Sequence, residues 1–222
     1  MTDLPSMLLN ALKAHDGNRA RSKQKKIGPS GAGSCKRYLW HILKDTPKTA
    51  ETDNLPAIMG TYIHAGISEA IRREDPFGDN FLIEQQFTAG NITGNIDLFI
   101  KDQGLVVDWK TTKVNGLRYF PSEKYRYQVH IYGYLLEANG YTVNEVALVA
   151  ICRDGGSDKV KEFREPYSRE IAELGLQWIQ DVQDIVDNDL PAPEPTEKLS
   201  WCSNYCQFYD PSGEIGCPGT NK

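Results

Sequence analysis

Two acids and an amine stand close together in the stretch GNIDLFIKDQGLVVDWKTTK. Asp97 falls near the middle of one predicted strand; Asp108 and Lys110 fall two residues apart at the end of the next. Side chains two apart on a strand share a face, so Asp108 and Lys110 point the same way. Gly104 and its polar neighbours allow a hairpin that carries Asp97 back beside them. The run LVVDWK is apolar up to Asp108, and a carboxylate ending a buried strand is costly unless it is paired or bound to metal. Two carboxylates and a main-chain oxygen form a hard, oxygen-rich site suited to Mg²⁺ or Mn²⁺. Such an ion polarises a phosphate, lowers the pKa of a bound water and stabilises a leaving oxygen. Lys110 would position or deprotonate that water, or neutralise charge in the transition state. A bare D-x-K marks no more than a solvated hairpin. Its surroundings carry the case.

The elements that must position these residues follow from periodicity. Residues 5 to 15 form a short helix with Leu8, Leu9 and Leu12 on one side, followed by a polar, basic, glycine-containing arm. In GSCKRYLWHIL, Ser34 is the expected N-cap, with Tyr38, Leu39 and Ile42 on the buried face. A helix from about Pro56 to Arg73 carries Ile58, Tyr62, Ile67 and Ile71 near three-to-four spacing, and also His64. Three strands follow within residues 81–113, then a helix over 122–140 with Gly140 as its stop. VNEVALVAICRD is a buried strand, KEFREPYS an edge strand, and residues 168–188 a long amphipathic helix. LPAPEPTEK closes the core, and the tail WCSNYCQFYDPSGEIGCPGTNK is too poor in apolar residues to fold by itself. This order predicts an α/β fold, a central mixed sheet flanked by helices. It divides into an N-terminal helical segment with a basic arm (1–55), a core (56–190) and a cysteine-rich tail (191–222).

Composition sets the outer bounds. With 40% hydrophobic and 25% charged residues in 222, the chain has the make-up of an ordinary globular protein. No apolar run is long enough to span a membrane, and the N-terminus is a poor secretory signal, so cytoplasm is the expected location. The net charge of −5 argues mildly against nucleic acid, but metal-holding carboxylates count as negative in that sum. Basic residues gather locally, at Arg19, Arg21, Lys23, Lys25 and Lys26 and again at Lys110, Lys113, Arg118, Lys124 and Arg126. An odd count of five cysteines makes a disulfide framework a poor reading.

Four short motifs then fall in a fixed order: Gly60 and His64 in GTYIHAGISEAI, Gly94 and Asp97 in GNID, Asp108 and Lys110 in DWK, Gln128 and Tyr132 in QVHIY. In this order and spacing the chain resembles the RecB-like branch of the PD-(D/E)XK nucleases, which includes CRISPR-associated RecB-type exonucleases and the nuclease domains of bacterial recombination machines. The resemblance spans residues 60 to 132 and implies a restriction-endonuclease-like core. It makes His64, Asp97, Asp108 and the carbonyl of Trp109 the metal ligands, and Lys110 the catalytic lysine. Gln128 and Tyr132, four apart on a helix, would share a face towards the active site and the DNA. Glu84 in LIEQQF is a further carboxylate that would support the metal ligands from behind.

Several members of that family hold a four-iron–four-sulfur cluster with one cysteine before the nuclease core and three after it. Cys35 upstream and Cys202, Cys206 and Cys217 downstream repeat that arrangement, and CKRYLW looks like the family's upstream segment. The downstream spacing, C-x3-C-x10-C, is wider than the usual one, and zinc held by four thiolates would use the same ligands. Either would join the two ends of the chain in one subdomain. Cys152 reads as a small buried hydrophobe.

The expectation is therefore a Mg²⁺- or Mn²⁺-dependent deoxyribonuclease, more an exonuclease than an endonuclease, on single-stranded DNA or DNA ends. Recombination, repair or CRISPR adaptation would be its setting, with proteins of those systems as partners. The competing expectations are a non-cutting DNA-binding protein of the same fold and a zinc or iron–sulfur regulator.

Overall fold

The computed structural model describes residues 3–18, 26–50 and 52–220. Of the first basic run, Arg19, Arg21, Lys23 and Lys25 lie outside the described residues. The chain runs α1 (Leu4–Asn18), α2 (Lys36–Leu43), α3 (Leu55–Glu74), β1 (Phe81–Ala89), β2 (Ile92–Ile100) and β3 (Leu105–Thr112). It continues through α4 (Glu123–Ala138), β4 (Glu145–Cys152), β5 (Lys161–Pro166), α5 (Arg169–Asp187) and α6 (Leu199–Tyr205).

The five strands form one sheet in sequence order. Antiparallel pairing joins β1 to β2, β2 to β3 and β4 to β5, while β3 and β4 are parallel. A parallel neighbour cannot be reached by a tight turn, and α4 supplies the crossover. The sheet is mixed, with helices on both faces. Val106, Leu148 and Phe99 pack with Val129, Ile131 and Leu135 of α4 and Ala172 and Ile179 of α5. On the other face Leu98, Ile100, Val107 and Trp109 pack with Ile67 and Ile71 of α3. Central strands buried on both sides read as near-continuous apolar runs, which is why LVV and VALVAI lack alternation.

Four details differ from the sequence expectations. Ser34 caps nothing: α2 begins at Lys36 after Cys35 without a side-chain cap, and the Ser34 carbonyl instead accepts Trp178 Nε1–H at 2.9 Å. Tyr62 is 40% exposed rather than buried, because its face of α3 meets α1, where its hydroxyl lies 3.1 Å from His15 Nδ1. Asp108 and Lys110 sit inside β3, not at its end, since the ladder to β4 runs on to Thr112. The tail contains the seven-residue α6, too short to leave a periodic signal.

Segment 26–50 is not a free arm. Lys36 Nζ pairs with Asp181 Oδ2 at 2.5 Å on α5, and the N–H groups of Thr49 and Ala50 both donate to the Gln207 carbonyl of the tail. Tyr38 and Ile42 of α2 pack on Cys202, Cys206 and Phe208. No described helix is long and apolar enough to cross a membrane.

Candidate active site

Two glycines allow the site to close up. A Cβ at Gly94 would stand 2.7 Å from Leu135 Cδ1 and 3.0 Å from Tyr132 Cε1, so a bare backbone there lets α4 settle on β2. A Cβ at Gly60 would stand 3.2 Å from Thr111 Oγ1, so α3 approaches β3 through its glycine. Both are motif glycines, and both have a packing reason.

Pairing of β2 with β3 stops at Leu98 and Val107. The next positions in that register are Asp97 and Asp108, where the strands part. The Trp109 N–H donates to Asp97 Oδ2 at 3.1 Å, so a side chain takes the place of a ladder carbonyl. Pairing of β1 with β2 is interrupted at the same level, between Ile83–Leu98 and Gln85–Ile96. Glu84, in that gap, has φ of 50°. A non-glycine residue in the left-handed region stores strain, and such residues gather at functional sites. Ser68 Oγ lies 3.0 Å from Glu84 Oε1 and 2.9 Å from the His64 carbonyl, and Asn95 Nδ2 donates to Glu84 Oε2.

His64 Nδ1 stands 3.4 Å from Asp97 Oδ2. One ligand atom each from His64, Glu84 and Asp97 lies within 4.8 Å of the others, the span a single cation bridges. Of the expected ligands, His64 and Asp97 fall in this trio with Glu84, while Asp108 meets Lys110 and Gln128. Asp108, 1% exposed, meets Lys110 Nζ at 3.0 Å from Oδ1 and 2.7 Å from Oδ2. Oδ2 has no hydrogen bond among the described residues although it is buried. Gln128 Nε2 donates to Asp108 Oδ1 at 3.1 Å and to the Tyr132 hydroxyl at 2.7 Å, and Gln128 Oε1 accepts from Lys110 at 2.9 Å. Lys110 Nζ also lies over the Tyr125 ring, 5.1 Å from its centre. Burial pushes the Asp108 pKa up to about 6; Lys110 works against that and Asp97 adds to it.

Beside Lys110 and Gln128 opens a groove of about 400 Å³, lined also by Lys26, Ser30, Ser34, Tyr38, Lys124 and Tyr125. Of the second basic run, only Lys110 and Lys124 reach it. Arg126 makes a two-pronged pair with Glu165 at 2.8 Å on each side, and Arg118 stacks on Tyr119. Burial next to Lys110 lowers the Lys124 pKa.

The four expected cysteines meet elsewhere. Cys35, Cys202, Cys206 and Cys217 line one cavity of about 10 Å³ together with Tyr38, His41, Trp201 and Tyr209. All are buried and free of disulfides. Burial, then the neighbouring Cys206, Cys217 and Cys35, push the Cys202 thiol up to about 11. The Gly219 N–H donates to Cys217 Sγ at 3.4 Å. Cys152 lies apart, buried at the end of β4. Sequence reading missed His41, which is buried on α2, and gave no place to Tyr125; neither stands in a spacing that marks it.

A five-stranded mixed sheet with an acid–acid–lysine centre at a parted strand pair is an arrangement suited to phosphodiester hydrolysis. The profile of the PD-(D/E)XK nuclease superfamily matches residues 67–210, and the chain belongs to that superfamily. The match takes in Asp97, Asp108, Lys110, Gln128 and Tyr132 and leaves out His64 and Cys35. Comparison with curated protein sequences gave no match. Among solved structures, the crystal structure of SSO0001 is similar over 94% of this chain and 95% of its own, at 18% identity and a TM-score of 0.55. The alkaline exonuclease LHK-Exo of Laribacter hongkongensis, in complex with dAMP, is similar over 76% and 91%, at 11% identity and a TM-score of 0.50. A phage-related exonuclease from Haemophilus somnus 129PT covers 69% and 79%, at 10% identity and a TM-score of 0.49. At these identities the likeness concerns the fold.

Proposed function

We propose that the chain is a Mg²⁺- or Mn²⁺-dependent deoxyribonuclease that degrades single-stranded DNA, or DNA ends, from a terminus. The observation that carries this reading is the meeting of Asp97, Asp108 and Lys110 where β2 and β3 part. The residues fit a hard divalent ion: the His64, Glu84 and Asp97 ligand atoms, from one imidazole and two carboxylates, are within 4.8 Å of one another. His64, Asp97, Asp108 and the Trp109 carbonyl would hold the ion, with Glu84 beside them. Bound there, it supplies Lewis-acid polarisation of the phosphate and a water of lowered pKa.

The chain's own groups do the rest. Lys110 acts as an ammonium held between Asp108 and Gln128, placing positive charge where the transition state gathers negative charge. Gln128, fixed by the Tyr132 hydroxyl, keeps both Asp108 and Lys110 in position. The groove beside them offers the lysines Lys26 and Lys124 for phosphates and the rings of Tyr38 and Tyr125 for bases, the combination that holds a single strand without reading its sequence. This supports a strand rather than an intact duplex as substrate.

The cysteine cavity is part of the same proposal. Four buried free thiols around one cavity fit a four-thiolate centre. Zinc would use the same four thiolates. One cysteine before the core and three after it favour a four-iron–four-sulfur cluster, the group the RecB-like resemblance implies. On this reading the chain would act alongside the exonucleases of recombination or CRISPR adaptation that the resemblance implies.

The test is incubation of purified protein with end-labelled single- and double-stranded DNA, with Mn²⁺ and with a chelator. Metal-dependent shortening of single strands, absent in Asp108→Ala, is the expected result. Binding without cutting under every metal condition would overturn the reading in favour of a DNA-binding protein.

A further inference from the structure

Arg37, Trp40, His41, Asp108 and Trp109 each bury a side-chain atom without a hydrogen bond among the described residues, and of these His41 lines the cysteine cavity. It is 2% exposed, and its Nε2 has no hydrogen-bond partner among the described residues. It lines the cavity of the four cysteines, with its ring stacked on Phe208 at 5.1 Å between centres. Its other nitrogen, Nδ1, lies 3.1 Å from Thr46 Oγ1. A buried polar atom without a partner is costly, so an orphan at the edge of this cavity is informative.

The tautomer follows from charge. Four thiolates already satisfy a cluster's coordination, so no fifth ligand is required. A bare Nε2 lone pair against negative sulfur would be repelled, whereas Nε2–H would be attracted. With the ring's one proton on Nε2, Nδ1 is left to accept from the Thr46 hydroxyl. We infer that His41 donates Nε2–H to a sulfur of the cysteine-held centre and thereby raises its reduction potential. A hydrogen bond to sulfur stabilises the more electron-rich reduced state, which is the direction of the effect. His41 is thus a positioning and tuning residue, not a ligand. This inference rests on the iron–sulfur reading above.

The experiment uses the full chain, purified without oxygen, as wild type, His41→Leu, His41→Gln and Thr46→Val. Iron and acid-labile sulfide are measured first, then the midpoint potential by spectroscopic redox titration. The expected result is equal iron and sulfide in all four, a lower potential in His41→Leu, partial return in His41→Gln, and a smaller lowering in Thr46→Val. Unchanged potentials in cluster-bearing variants would overturn the inference and leave the iron–sulfur reading standing. Wild type with zinc, or with no metal, would overturn both. Should His41→Leu fail to fold, Thr46→Val, an isosteric change at a half-buried loop residue, decides by the same potential measurement.

Discussion

The nuclease centre and the cysteine cavity are built on opposite plans. At the centre, every group sits on a strand or helix, and Asp108, Lys110, Gln128 and Tyr132 already bond to one another. At the cavity, the cysteines come from a short helix and a loop-rich tail whose small core is Cys202, Cys206 and Phe208 with a few partly buried neighbours. The first is assembled by the fold. The second, on the proposed reading, would owe its assembly to the group its thiols hold, because so little apolar surface is buried there. Two sites in one chain would then stand in opposite causal relation to the fold around them.

The comparison breaks most sharply at Asp108. Asp108→Ala removes several kcal/mol of transition-state stabilisation, so cleavage falls by about three orders of magnitude, measured by single-turnover assay. The melting temperature and the absorbance of the proposed cluster stay close to wild type. Cys202→Ala has the reverse pattern. Iron held by the proposed cluster is lost and limited proteolysis releases the tail, while a fragment ending after α5 retains the sheet's protection from hydrogen exchange. Equal behaviour of the two variants in both assays would erase the distinction.

Acid and metal sharpen it further. Asp108 has a folded pKa near 6, above its ordinary 3.8. Its proton therefore stabilises the metal-free fold fully below about pH 4, and that contribution is lost as pH rises through about 6. Metal-free protein should be less stable at pH 8 than at pH 5 by more than Asp108→Asn is, and added Mn²⁺ should reverse the difference. Divalent affinity should fall up to tenfold per pH unit below 6, by calorimetry. The smallest effect is Gly94→Ala, where the new methyl meets Leu135; about 1–3 kcal/mol of stability is lost by denaturant titration.

Much of the frame was legible from residues alone. The strand triplet over 81–113 stands out through its glycine and asparagine turns, and the short loop around Gly104 sets Asp97 level with Asp108. Helix α4 follows from its length and its glycine stop, and α5 from its amphipathic pattern. What was hidden depends on tertiary contact. Ser34 looks like a cap until Trp178 claims its carbonyl. Glu84 is drawn in by a left-handed backbone that no propensity marks. His41 and Cys35 are six apart, a separation with no meaning until α6 and the tail fold over both.

Helix α2 has the last word, through Tyr38. That ring borders both the groove beside Lys110 and the cavity of the thiols. Trimming the gene after α5 to obtain a minimal enzyme would therefore strip the far side of α2, and with it the support for one bank of the strand's path. The shortest useful version of this protein is close to its whole length, even though its cutting chemistry occupies barely the middle third.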